Sequence, residues 1–188
     1  MSRINGKIIR VGIAGQGRSG YAIHAEWLRK AGETYLITAV ADQLKERRDE
    51  AEKEFGARTY ADWRKLVKAG GFDLFINALP SPLHLQATIE ALEAGYHVVC
   101  EKPMAGTVID FDLMVATAEK TGKMLAPFQN NRFQPFFQKI LEIVRQAIPA
   151  GGNPDQRLPG LSAGRHVQHL RHKGWAERQF KLFDLEIL

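Results

Sequence analysis

Apolar and charged stretches alternate along residues 1–147 as they do in proteins that alternate strands and helices. Near-continuous apolar runs such as Ile8–Ala14 are typical of strands that are buried on both faces of a parallel sheet. Apolar residues at spacings of three and four predict amphipathic helices between those runs. The predicted strands are 8–14, 36–41, 58–59, 72–79, 96–100 and 124–127, and the predicted helices are 21–31, 44–55, 63–69, 82–94, 108–121 and 135–147.

Local signals support these elements and their connection into one fold. Asp62 stands where an N-cap carboxylate would accept a free backbone N–H, and Gly95 and Gly122 follow helices as C-terminal glycines do. Repeated strand–helix–strand units join parallel strands by right-handed crossovers. The pattern therefore predicts an α/β fold with a doubly wound parallel sheet, the Rossmann-type dinucleotide-binding fold, with a ligand at the carboxyl ends of its strands.

The periodicity ends after residue 147. Residues 149–160 are rich in Pro and Gly, and residues 166–188 are polar and basic with scattered aromatic residues. Turn-forming residues without apolar periodicity predict irregular structure. We therefore predict a dinucleotide-binding domain over residues 1–147 and an irregular tail over residues 148–188.

Composition indicates the class of protein and the cellular compartment to expect. Hydrophobic residues make up 45% of the chain and charged residues 25%, as in ordinary soluble globular proteins. The single cysteine, Cys100, excludes an internal disulfide framework and is typical of a reducing compartment. No apolar run reaches the length of a membrane span, and the short polar N-terminus lacks the apolar core of a signal peptide. We expect a cytoplasmic location and no membrane partner.

The net charge of +5 is compatible with an anionic partner but does not specify one. A nucleic-acid-binding arm needs a block of Lys and Arg residues, and the sequence has neither such a block nor a nucleic-acid-binding motif. We therefore expect no nucleic-acid partner.

The most informative motif joins the first predicted strand to the first predicted helix. Gly15, Gly17 and Gly20 form the pattern G-x-G-x-x-G, and Asp42 directly follows the second predicted strand about 20 positions further on. The first glycine allows a tight turn, the second lets the backbone approach a pyrophosphate, and the third lets helix and strand pack closely. The helix N-terminus offers N–H groups to the phosphates. The predicted phosphate loop consists of Gly15, Gln16, Gly17, Arg18, Ser19 and Gly20.

Asp42 bears on the choice of cofactor. Its carboxylate would accept hydrogen bonds from the adenosine ribose hydroxyls and repel a 2′-phosphate, which favours NAD over NADP. Lys45, Arg47 and Arg48 follow closely and would weaken that preference, unless they simply form an exposed charged helix face. We predict NAD as the cofactor, with NADP as the alternative.

Three more polar segments follow predicted strands: Pro80–His84, Glu101–Pro103 and Asn130–Pro135. Because the carboxyl ends of parallel strands share one edge of a sheet, these segments and the glycine loop are expected to form one site. His84 either contacts the cofactor or binds loop carbonyls. His24 and His97 are interpreted as structural, and Cys100 as a buried strand residue.

Together these motifs resemble the glucose-fructose oxidoreductase/inositol dehydrogenase (Gfo/Idh/MocA) family of NAD(P)-dependent sugar oxidoreductases, over residues 7–147. The run Ala91–Pro103, which ends in Glu-Lys-Pro, is the most specific part. The resemblance implies that Lys102 is catalytic and lies near the nicotinamide, where its ammonium would stabilise an alkoxide and relay a proton. It also implies a cis bond before Pro103. Glu101 belongs either to this site or to a salt bridge.

The resemblance further implies oxidation of a sugar or cyclitol hydroxyl by NAD, or the reverse reduction, and hence a small-molecule sugar or cyclitol substrate. The oligomeric state stays open. Lys102 is the predicted catalytic residue. Beyond the phosphate loop, the residues predicted to bind the cofactor are Asp42, Pro80, His84, Glu101, Lys102, Pro103 and Arg132.

The resemblance breaks off before the family's second domain, so we expect a truncated protein. A cofactor-binding remnant without turnover and a regulatory or interaction module are therefore alternative functions. The tail over 148–188 is interpreted as an out-of-frame remnant of the second domain, since codons for residues 151–156 shifted by one base can encode a strand-like sequence. His166, His169 and His172 share a helical spacing, but no carboxylate or cysteine completes a ligand set, and we predict no metal site.

Overall fold

The computed structural model of the chain describes residues 8–147. The predicted irregular tail, with its three regularly spaced histidines, lies outside the described residues, so the predicted boundary after residue 147 stays a prediction. The described chain divides after Phe128 into two compact units.

The first unit carries the sheet and the helices that flank it. The strands are β1 (Ile9–Ala14), β2 (Tyr35–Ala41), β3 (Arg58–Tyr60), β4 (Leu74–Asn77), β5 (His97–Cys100) and β6 (Leu125–Pro127). A π-helical segment, Arg18–Ala25, runs into α1 (Glu26–Lys30), and a 3-10 turn, Ser81–Leu83, precedes α4. The other helices of this unit are α2 (Lys45–Phe55), α3 (Trp63–Ala69), α4 (His84–Glu93) and α5 (Val108–Thr121).

All strand pairs in this sheet are parallel, and the strand order is β3-β2-β1-β4-β5-β6. The chain starts in the middle, moves outward to β3, and then crosses to the other side of β1. This confirms the predicted doubly wound, Rossmann-like α/β fold. The order reverses direction between β1 and β4, and such a switch point is where ligands bind in open α/β sheets.

Apolar side chains cover both faces of the sheet, which explains why the strands are continuously apolar in sequence. Val11, Ile13 and Val40 belong to the core on one face, together with Leu28 of α1. The other face is covered mainly by α3, α4 and α5, around the fully buried Phe75. With both faces packed, the edge at the carboxyl ends of the strands is the part of the sheet where a polar ligand can bind.

Element boundaries follow local stereochemistry. Asp62 caps α3 as predicted, with its side chain accepting the Arg64 N–H at 2.8 Å, and α5 has the predicted bounds. The predicted strand 72–79 is shorter in the structure, where β4 spans Leu74–Asn77. The predicted helix 21–31 starts earlier, at Arg18, directly after Gly17, the second glycine of the motif.

The described part of the second unit is a 3-10 turn, Asn130–Phe133, followed by α6 (Pro135–Ala147). Phe136 and Ile140 lie one helical turn apart on α6 and are exposed. Across both units, no described helix is long and apolar enough to cross a membrane.

Candidate functional site

Strand register brings the sequence motifs of the first unit to a common edge. Ala41, Ala14, Asn77 and Cys100 are the last residues of four neighbouring strands, and each is paired with the next. The ladder continues beyond the strand ends through backbone hydrogen bonds from Gly15 to Ala41 and from Ala78 to Ala14, at 2.7 and 2.9 Å. The glycine loop, Asp42, the Pro80 turn and the Glu-Lys-Pro segment therefore all leave the sheet at one edge.

Two of the three glycines are required by backbone packing. Gly15 has a φ of +93°, and a Cβ there would lie 2.4 Å from the Ala78 carbonyl oxygen. A Cβ on Gly20 would lie 1.7 Å from the carbonyl oxygen of Gly15. No side chain other than hydrogen fits at either position, so the loop folds back tightly onto the start of its helix.

Gly17 differs from Gly15 and Gly20 because a Cβ at this position would clash with no neighbouring atom. The nearest atom to a Cβ at this position is a guanidinium nitrogen of Arg47, at 3.8 Å. Gly17 is also the N-cap of the Arg18–Ala25 segment, and no side chain caps that N-terminus. The loop therefore presents backbone N–H groups to a space that a bound anion can approach.

Gln16 supplies a test of whether the loop fits a polar ligand. The residue is only 5% exposed, and neither its side-chain nitrogen nor its side-chain oxygen has a hydrogen-bond partner among the described residues. A buried unsatisfied polar group costs about 1–3 kcal/mol. An amide with an unpaired donor and acceptor in a phosphate-type loop is suited to a polar ligand such as a dinucleotide.

Asp42 connects the glycine loop to the start of α2. Its Oδ2 accepts the backbone N–H of Gln16 at 2.7 Å, and its Oδ1 accepts the N–H of Leu44 at 2.9 Å. A nitrogen of Arg47 also lies 3.3 Å from Oδ2. The Asp42 side chain is 8% exposed. Through its hydrogen bond to the Gln16 N–H, the carboxylate helps to hold the glycine loop at the carboxyl ends of the strands.

Lys102 is exposed at the same edge, and the peptide bond between Lys102 and Pro103 is cis, as the resemblance implies. Within the described part of the chain, its ammonium makes no hydrogen bond or ion pair. Its backbone N–H donates to Glu101 Oε2 at 3.2 Å. A lysine with a held backbone and an unpaired ammonium is free to bind a ligand oxygen.

Glu101 is buried and pairs with His24. Their side chains are 6% and 5% exposed, and His24 Nε2 lies 3.1 Å from Glu101 Oε1. Burial lowers the pKa of His24, while the neighbouring carboxylate opposes that shift. The His24 ring also contacts the ring of Phe128, with centroids 4.2 Å apart. The pair therefore joins the helix that follows the glycine loop to the segment that carries Lys102.

His84 binds two carbonyl oxygens rather than standing free. One ring nitrogen lies 2.7 Å from the Leu79 oxygen and the other 2.7 Å from the Pro103 oxygen, and the residue is 1% exposed. Asn77 donates to the backbone oxygen of His84 at 3.0 Å. This favours the carbonyl-binding alternative for His84, which thereby links the Pro80 turn to the Pro103 turn.

The remaining predicted residues have less defined roles. Arg18 and Pro80 are exposed at the edge, and Arg132 lies in the second unit, so its place in the cofactor site stays a prediction.

Burial raises the pKa of the Cys100 thiol to about 12, which makes it unreactive. Among residues 8–147, no three His, Cys, Asp or Glu side chains are grouped so that they could hold a metal ion.

Sequence reasoning allowed a salt bridge for Glu101 and an effect of Arg47 on the cofactor preference, but it named neither the partner of Glu101 nor the contacts of Arg47 and Asn77. The partnership of His24 with Glu101, the contact of Arg47 with Asp42, and the hydrogen bonds of Asn77 all depend on the fold. Only Arg47 had a local signal, since it lies five residues after Asp42 at the start of a helix.

Comparisons with known proteins agree with this geometry. Residues 9–129 match the Gfo/Idh/MocA family, described as an oxidoreductase family with an NAD-binding Rossmann fold. The chain is 32% identical to D-glucoside 3-dehydrogenase of Escherichia coli, over 74% of this chain and 40% of that protein. It is 30% identical to scyllo-inositol 2-dehydrogenase (NADP(+)) IolW of Bacillus subtilis, over 91% of this chain and 46% of that protein.

Solved structures show the same likeness. The WlbA dehydrogenase of Bordetella pertussis in complex with NADH and UDP-GlcNAcA is 30% identical, with a TM-score of 0.70 over 75% of this chain and 43% of that one. The scyllo-inositol dehydrogenase of Lactobacillus casei with bound NAD(H) and scyllo-inositol is 26% identical, with a TM-score of 0.69 over 75% of this chain and 42% of that one. The chain thus spans less than half the length of these relatives.

Proposed function

The chain belongs to the Gfo/Idh/MocA oxidoreductase family with an NAD-binding Rossmann fold, and we propose that it binds NAD for the oxidation of a sugar or cyclitol hydroxyl, or for the reverse reduction. The substrate class rests on the names of relatives that act on glucosides and inositols. The observation that carries the proposal is that the glycine loop, Asp42 and Lys102 follow the carboxyl ends of β1, β2 and β5, which lie at the same side of one parallel sheet.

Three residues of the first unit would hold the cofactor. The open backbone at Gly17 and the helix N-terminus behind it would take the pyrophosphate. The unpaired side-chain amide of Gln16 would find its missing hydrogen bonds on the ligand. The Asp42 carboxylate would accept ribose hydroxyls, as an acidic residue at the end of the second strand does in this fold.

When bound, the nicotinamide supplies the hydride chemistry. The Lys102 ammonium would stabilise the developing alkoxide, and the side chain would relay the proton of the substrate hydroxyl to water, giving up one proton for the one that it takes. Its position is fixed from both sides, because Glu101 accepts its backbone N–H and His84 holds the carbonyl of the next residue. Such support keeps a catalytic group in its productive place.

Binding and turnover are tested separately. The purified full chain is titrated with NAD and NADP by calorimetry, and turnover is followed as NADH formation with scyllo-inositol, myo-inositol and a D-glucoside as probes. We expect Lys102→Met to bind NAD within about threefold of the parent and to lose nearly all turnover, because the ammonium acts on the substrate. Lys65→Met, an exposed lysine on α3, is the matched control and should leave both unchanged.

A second candidate function is NAD binding without turnover by this chain alone. This function is favoured because the chain covers only 40% and 46% of the lengths of the two curated dehydrogenases above. The same experiment separates the two functions, since NAD binding without NADH formation on any probe would select the second. Absence of nucleotide binding by the parent would contradict both.

A further inference from the structure

Arg47 lies close to both Asp42 and Gly17, the residues that would contact the adenosine ribose and the pyrophosphate of a bound dinucleotide. It lies in the first turn of α2, and one of its guanidinium nitrogens lies 3.3 Å from Asp42 Oδ2. The same nitrogen lies 3.8 Å from the position of a Cβ on Gly17. The side chain is 43% exposed. A partly exposed cation therefore stands beside both the ribose-binding carboxylate and the phosphate loop.

The two neighbouring basic residues are engaged elsewhere. Lys45 forms an ion pair with Asp49 at 2.6 Å and is 72% exposed. Arg48 donates to the backbone carbonyl oxygens of Asp42 and Gln43, both at 2.8 Å. Of the three cations that follow Asp42, Arg47 alone contacts its carboxylate, so the charged helix face divides into residues with distinct roles.

The acceptor capacity of Asp42 is nearly used. A carboxylate offers about four lone-pair sites, and the N–H groups of Gln16 and Leu44 and the guanidinium of Arg47 take three of them. A ribose with two free hydroxyls asks for two acceptor sites. Arg47 and an NAD ribose therefore compete for the same carboxylate.

A ribose that carries a 2′-phosphate makes the opposite demand. Next to Asp42 alone, the phosphate would meet a like charge. An arginine carries five N–H donors in a planar fork that matches phosphate oxygens, and Arg47 uses one of them in the hydrogen bonds of the described residues. Its charge would offset Asp42, and its remaining donors could bind the phosphate.

We propose that Arg47 is the residue that sets the cofactor preference of this site, so that the chain accepts NADP as well as NAD. The inference rests on the proposed function, since it assumes that a dinucleotide binds at the glycine loop. It predicts that loss of Arg47 weakens NADP binding without weakening NAD binding. A residue that only supported the fold would affect both in the same direction.

The test is the ratio of the Kd for NADP to the Kd for NAD, measured by calorimetry on the full chain. Arg47→Met keeps the apolar stem and removes the charge and the donors, and we expect the ratio to rise about tenfold or more. The rise should come from weaker NADP binding with equal or tighter NAD binding. Arg47→Lys keeps the charge without the fork, so its ratio should lie between those of the parent and the methionine variant.

Lys45→Met removes one positive charge from the same helix without touching Asp42, and its ratio should stay close to that of the parent. An unchanged ratio in Arg47→Met, or equal losses of both cofactors, would overturn the role of Arg47 while leaving the dinucleotide site intact. So would a parent chain that binds NAD and fails to bind NADP. A parent that binds neither nucleotide would overturn the proposed function together with this inference.

Discussion

The buried pair between His24 and Glu101 permits a quantitative prediction about stability. The Glu101 carboxylate accepts two hydrogen bonds, from the His24 ring at 3.1 Å and from the Lys102 backbone at 3.2 Å. Glu101→Gln keeps the shape of the side chain and removes its charge. At neutral pH the lowered pKa of His24 keeps the ring uncharged, so the interaction that is weakened is a charge-assisted hydrogen bond between a neutral ring and a carboxylate.

The magnitude follows from the number and quality of these hydrogen bonds. A hydrogen bond to a charged group contributes about 1.5–3 kcal/mol and a neutral one about 0.5–1.5 kcal/mol. Glutamine has one acceptor oxygen, so Glu101→Gln keeps at most one of the two accepted hydrogen bonds and keeps it without charge assistance, while its NH2 can bond the His24 ring only in the other tautomer. We therefore expect a loss of about 2 kcal/mol or more in the free energy of unfolding. For a domain of this size that corresponds to a Tm lower by roughly 6–10 °C.

The assay is thermal unfolding at pH 7.5, followed by circular dichroism, on the parent, Glu101→Gln and the control Glu119→Gln. Glu119 is exposed on α5, and an exposed substitution of this kind changes stability by less than about 0.5 kcal/mol. A Glu101→Gln variant that melts within about 2 °C of the parent would refute the reasoning. His24→Gln and the double variant complete a cycle whose coupling energy assigns the loss to the pair.

Further predictions concern protonation, the glycines and the cysteine. Burial lowers the pKa of His24 below its ordinary 6.5, so below that pH the unfolded chain binds more protons than the folded chain, and the parent loses stability as the pH falls further. His24→Gln should reduce that loss in thermal melts between pH 7 and pH 5. Gly20→Ala should cost roughly 3 kcal/mol or more, since its Cβ would meet the Gly15 carbonyl, whereas Gly17→Ala should melt like the parent and weaken NAD binding in calorimetry. Cys100 should resist alkylation of the native chain at pH 8 and react fully in denaturant, because its pKa is raised to about 12 by burial; rapid native alkylation would contradict its burial.

Much of the fold could be predicted from the sequence because its signals are local. A doubly wound sheet requires continuous apolar runs, helical periodicity and glycines at helix ends, and each of these is readable within a few residues. Helix α5 ends where predicted for this reason, since Gly122 follows its last residue in a left-handed conformation. The start of the first helix was not predicted, because the glycine loop closes through a contact between Gly20 and Gly15 that only the folded chain contains.

The groups that would touch a cofactor or substrate were easier to predict than the groups that hold them. Gly17, Asp42 and Lys102 each stand in a short motif, whereas His24 meets Glu101 across 77 positions of sequence. That pairing depends on how the folded chain brings the helix after β1 to the segment after β5, and no local pattern predicts it.

Buried polar residues connect the parts of this site to one another. The backbone N–H of Gln16 donates to Asp42, and His24, on the helical segment after the glycine loop, forms a hydrogen bond with Glu101. The His84 ring forms hydrogen bonds with the carbonyls of Leu79, before the Pro80 turn, and of Pro103. Each link joins segments that leave different strands, so together the links hold the glycine loop, the Pro80 turn and the Glu-Lys-Pro segment to one another. A substitution at His24 would therefore affect both the loop that is proposed to take the pyrophosphate and the backbone of the proposed catalytic lysine. The polar network thus connects the segment that carries Lys102 to the loop that is proposed to bind the cofactor.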